Sequence, residues 1–83
     1  MNATTLSLQL SLADDKLREG AAQNDIALVK FGLGMLQGLL IAACPEHEHY
    51  SINRVAFDGA YATTVDSALD AAVGLKRWAD QLD

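Results

Sequence analysis

The stretch from Ile26 to Cys44, IALVKFGLGMLQGLLIAAC, holds one charge (Lys30) and one amide (Gln37) and stops at Pro45. A helix that is apolar on most of its faces must be covered by its own domain, a second subunit or lipid. Lipid is the rival to weigh first, because the stretch is about as long as a membrane span. A lysine near mid-membrane costs about 2.5–3.5 kcal/mol. Lys30 lies toward one end, where its stem can carry the charge to the interface. The expectation is a helix covered by protein, with a small membrane-active protein using residues 26–44 as an alternative.

The chain has little else to provide that cover. Its 83 residues make one domain, 1–83, and a domain of this size has a marginal core. The usual supports are disulfides, a metal or a partner subunit. Cys44 is the only cysteine, so no disulfide forms within one chain; this suits a reducing, cytoplasmic setting. Hydrophobic residues make up 51% of the chain, too many for a disordered segment. Self-association, as a homodimer, is the expected support.

Within the apolar stretch the spacing is informative. Ile26, Val29, Leu33, Leu36 and Leu40 repeat at heptad-like intervals on one helical face, and Phe31, Met35 and Leu39 lie on another. Between them runs a stripe of small residues, Ala27, Gly34, Gly38 and Ala42. An interior glycine costs a helix about 0.8–1.0 kcal/mol relative to alanine, tolerable where backbones approach closely. That approach is expected either within the chain, making room for a bulky neighbour such as Trp78, or across a dimer. Ala27, Gly34, Gly38, Ala42, Leu36 and Leu40 are the candidate contact residues on this helix.

Around it, the pattern predicts an all-α domain. Thr4 to Glu19 alternates like a strand at Leu6, Leu8, Leu10 and Leu12, yet Leu6, Leu10, Ala13 and Leu17 share a helical face. Leucine favours helix and β-branched residues are scarce, so helix is expected, with Gly20 as its stop. Asn24 or Asp25 then caps a helix over Asp25–Ala43, which ends before Pro45. A last helix over Thr64–Leu82 carries Tyr61, Val65, Ala68, Leu69, Ala72, Leu75, Ala79 and Leu82 on its apolar face. Asp66 near its start, and Lys76 with Arg77 near its end, suit its dipole. Residues 45–50 read as a loop. A short helix from Ser51, broken near Gly59, is expected next; the alternative is a β-hairpin at about 50–64 turning on Asp58-Gly59, which would make the fold α+β.

The chemistry is sparse. Net charge is −5, and the six cations are dispersed, which argues against a nucleic-acid partner. The acids form no dense stripe either. The first fifteen residues hold no Lys or Arg, unlike a secretory signal. Cys44, His47 and His49 are the candidate metal ligands, since a thiolate and two imidazoles suit zinc, but no second spaced pair accompanies them. A metal-binding regulatory protein built on this loop is an alternative; the expectation is no metal and no cofactor. Cys44 is a poor nucleophile candidate at a helix C-terminus beside Glu46 and Glu48. Gly32, Gly34 and Gly38 do not fit a dinucleotide loop. Phe31, Tyr50, Phe57, Tyr61 and Trp78 are expected mostly in the core, although Tyr50 and Tyr61 could anchor a partner.

The sequence therefore predicts a small helical hairpin or bundle in which the apolar helix packs against the last one. A second copy completes it. With no catalytic constellation, the expected function is a non-enzymatic protein–protein interaction module. A small acidic inhibitor or adaptor, of the kind phages and plasmids direct at a host protein, is one form of it.

Overall fold

Helix boundaries in this chain are set by short polar side chains that take up free amide hydrogens. The computed structural model describes residues 2–82. They form four helices, α1 (Ala3–Ala22), α2 (Ile26–Ala43), α3 (His49–Ala60) and α4 (Val65–Asp80), with a 3₁₀ turn at Glu46–Glu48 before α3. Asn2 caps α1 by accepting from the Thr5 amide at 2.8 Å, and Asp25 caps α2 by accepting from Leu28 at 3.2 Å. Thr64 caps α4 through the Ser67 amide at 3.1 Å. At α3 no side chain caps the helix; the 3₁₀ turn behind Pro45 leads the backbone into it, the Glu48 amide donating to the Pro45 carbonyl at 2.9 Å.

Two expectations about glycine are corrected here. Gly20 does not stop α1, which continues to Ala22. The stop lies at Asn24, whose left-handed φ of 51° lets the Asp25 amide reach the Gly20 carbonyl at 2.8 Å and the Asn24 amide reach Ala21 at 3.3 Å. That pair of bonds satisfies carbonyls the helix end would leave free. Gly59 does not break α3 either, and Asp58-Gly59 turns no hairpin: both residues lie inside the helix. No strand occurs among the described residues, so the chain is all-α. The loop expected over 45–50 is shorter than that, since α3 already begins at His49.

The core is the stripe that the heptad-like spacing marks. Val29, Leu33, Leu36 and Leu40 of α2 are buried against Ala13 and Leu17 of α1, Ile52 and Ala56 of α3, and Ala68, Ala71, Ala72 and Leu75 of α4. Among the described residues no polar or charged one is buried. Helix α2 contacts each of the other three, including the expected partner α4. Small residues set how closely they sit. A Cβ on Gly32 would stand 3.0 Å from the Leu17 backbone nitrogen. One on Gly59 would meet the Ala71 Cβ at 2.8 Å, and one on Gly20 the Val29 nitrogen at 2.7 Å. The assembly is thin, with a least extent of 15 Å, too thin to surround α2 with helices about 10 Å across.

A charged clasp ties α1 to α4. Asp14 accepts from the Lys76 ammonium, while Arg18 Nε, one turn along α1, sits 2.8 Å from its other oxygen. The Lys76 hydrogen bond holds the Asp14 carboxyl below the usual carboxylate range. Burial opposes this, and the charges of Lys76 and Arg18 reinforce it.

Two measurements check this packing. Gly59→Ala gains helix propensity but forces Ala71 aside, so the urea midpoint should fall, by the equivalent of about 1–3 kcal/mol for overpacking; an unchanged or higher midpoint would contradict the close approach. Because the folded pKa of Asp14 is depressed, its contribution is full above the unfolded value of about 3.9. It is lost as pH falls through the folded value. Urea titrations across that acid range should show this slope, and Asp14→Asn should flatten it at a cost of no more than about 1 kcal/mol near neutrality, as for a part-exposed pair.

Candidate interaction face

A helix turns 100° per residue, so the residues opposite the buried stripe of α2 follow from its spacing: Ala27, Phe31, Gly34, Gly38 and Ala42. All five are exposed. A Cβ built on Gly34 or on Gly38 meets nothing within 4 Å among the described residues. Of the two reasons for the glycines, packing within the chain is thereby removed. Trp78 is engaged elsewhere, half-buried, its indole N–H donating to Glu48 at 2.9 Å. Leu36 and Leu40, expected at the contact face, are 3% and 0% exposed in the core of the chain itself, and that expectation is corrected.

Helix α3 flanks the open side of α2 in antiparallel register. Lys30 Nζ donates to the Ala60 carbonyl at 2.9 Å and the Gln37 amide donates to Asn53 at 3.0 Å. Gly34 falls between Lys30 and Gln37 along α2, and Phe57 falls between Asn53 and Ala60 along α3. Around each helix the order runs from core, through this seam, to the open side, so Phe57 and the small residues share one surface of the molecule. The Phe57 and Tyr61 rings adjoin, their centroids 4.6 Å apart and tilted by 41°.

The exposures correct the sequence reading of the aromatics. Phe31 is 58% exposed, Tyr50 74%, Phe57 60% and Tyr61 72%, which accounts for every Phe and Tyr in the chain. Only Trp78 takes part in the core. Tyr61 is not on the apolar face of α4; it follows α3 as its C-cap. Tyr50 and Tyr61 are thus placed where they can meet a partner. Phe31 and Phe57 join them, and neither was singled out from the sequence. A signal existed for Phe31: it sits four residues after Ala27 and three before Gly34, on the small-residue stripe.

Charge is arranged to match. Helix α2 contains no acid and α3 only Asp58, so the excess negative charge lies off this face. Helix α2 has a mean hydropathy of 1.9, enough by length and composition to cross a membrane, yet only 28% of it is buried in the chain.

The Cys44–His49 segment is organised differently from a ligand set. The His49 ring pairs with the Cys44 carbonyl at 3.0 Å, not with its thiol, and exposed His47 lies 3.6 Å from Glu48. Among the described residues no three His, Cys, Asp or Glu side chains converge as a metal site would need. Burial, and then the Glu48 charge, push the Cys44 thiol up, away from a reactive thiolate.

No protein-family model matches the sequence, and no curated protein or solved structure matches the chain. The face is read from its own chemistry. If the glycines are open to solvent in the single chain, Gly34→Ala should stabilise the isolated subunit by about 0.8–1.0 kcal/mol, the helix-propensity difference. Urea denaturation under dilute conditions measures it, and a loss of stability there would mean that Gly34 packs inside the chain.

Proposed function

We propose that this protein is a non-enzymatic protein-binding module, an inhibitor or adaptor in kind, that engages its partner through the open face of α2 and α3. The observation that carries this reading is the exposure of all four Phe and Tyr residues, with Phe31, Phe57 and Tyr61 on the surface of the open glycines. Phe and Tyr are enriched at the cores of protein interfaces, and Tyr is among the residues enriched at hot spots. Their large rigid surfaces gain much from burial at a small cost in side-chain entropy. The glycines leave a notch in which a partner side chain or backbone can approach α2 closely. Chemistry is a poorer fit for the face, whose one α2 charge, Lys30, is tied to a carbonyl.

The same apolar surface raises the question of lipid. Helix α2 is joined to α3 by the Lys30 and Gln37 hydrogen bonds and buries its core stripe against helices that carry charged residues. Crossing a bilayer would break both sets of contacts, which favours protein as the cover.

Photo-crosslinking in cells tests the proposal. A photoreactive phenylalanine analogue in place of Phe31 or of Tyr61 should give a discrete protein adduct, while the same analogue in place of Asp70, on α4, should not. Absence of protein adducts from both face positions would overturn the reading, as would recovery of the protein only with membranes.

A further inference from the structure

We infer that the occupant of this face is a second copy of the same chain, joined as a two-fold symmetric dimer; this rests on the protein-binding reading above. Area is the first argument. With about 200 Å² for each aromatic residue, the four exposed rings leave on the order of 500 Å² uncovered. The bare α2 residues between them carry the face toward the roughly 800 Å² per partner of a standard interface. The rings alone already match the largest apolar patch usual on a monomer, about 300–600 Å² and often a binding surface.

Shape is the second argument. A two-fold contact places the same patch on both sides, so the patch must fit itself. This face presents projections, Phe31 and the Phe57–Tyr61 pair, and a recess at Gly34 and Gly38, within one surface. The rings of each copy can fill the notch of the other.

Charge is the third. Two molecules of net charge −5 repel at long range, and they can meet closely only where the acids are few. Helix α2, with none, offers that surface. Need is the fourth: a chain of 83 residues with a single cysteine and a core in which alanine is prominent gains most from a subunit that adds apolar burial.

Light scattering on a sizing column, with full-length protein in detergent-free buffer over a dilution series, tests the inference. The wild-type protein should elute at twice the chain mass and dissociate on dilution. Phe57→Ala should raise the dimer dissociation constant by at least about thirtyfold, as for an interface hot spot. Gly34→Lys has room to fold and should be monomeric with undiminished helical circular dichroism, while Leu12→Lys on α1 should leave the dimer intact. A wild-type monomer at the highest concentration overturns the inference, as does a dimer that resists both Phe57→Ala and Gly34→Lys. So does protein that stays soluble only in detergent. If the chain is monomeric but the crosslinker at Phe31 or Tyr61 captures a different protein, the inference fails while the protein-binding reading stands. If neither position captures any protein, both fail.

Discussion

The structure depends on one stripe of side chains. Val29, Leu33, Leu36 and Leu40 face inward from α2, and each of the other helices is held by what it buries against them. Burying each such side chain contributes about 1.5–3 kcal/mol, against a net stability of only about 5–15 kcal/mol for a domain. With only Leu17, Ile52 and Leu75 as large side chains buried from the other helices, the remaining gain comes from nearness. Gly20, Gly32 and Gly59 let backbones close on one another, and the buried alanines do the same with one methyl each. Space that larger side chains would fill is removed by bringing the helices together.

That solution uses only one side of α2. A thin layer of helices cannot wrap it, and the sequence does not compensate with polar residues on the uncovered side. Two hydrogen bonds, from Lys30 and Gln37, mark the limit of what α3 covers. Beyond them stand the small residues and the rings. One helix thus combines the chain's best-packed surface with its least-covered one, and the proposed contact is a consequence of that asymmetry.

The helical class was legible because its signals are local. Asp25 announces a start, Pro45 a stop, and the core stripe of α2 has the period of its helix. Long-range facts were harder to see. Gly20 and Gly59 resemble breakers when read alone, and their value appears only once Val29 and Ala71 are seen to press against them. Leu36 and Leu40 look as suited to a partner as to a core, since periodicity gives a face but not what covers it. For the same reason most of the aromatics read as core: large apolar side chains usually belong there, and nothing local distinguishes Phe57 from Ile52. The small stripe of α2, by contrast, was visible, because glycine repeated inside a helix is costly enough to need a reason.

The tight turn at Asn24 also bears on the order of assembly. Helices α1 and α2 are joined by a connection of a few residues, so bringing them together closes a short loop and loses little chain entropy. Helices α3 and α4 are joined almost as closely, so each half of the chain is a hairpin of low closure cost. Until they dock, α2 shows part of its core stripe as well as its outer face. A chain whose hairpins had closed without docking would therefore offer two apolar sides of that helix for association, and only the docked fold leaves one.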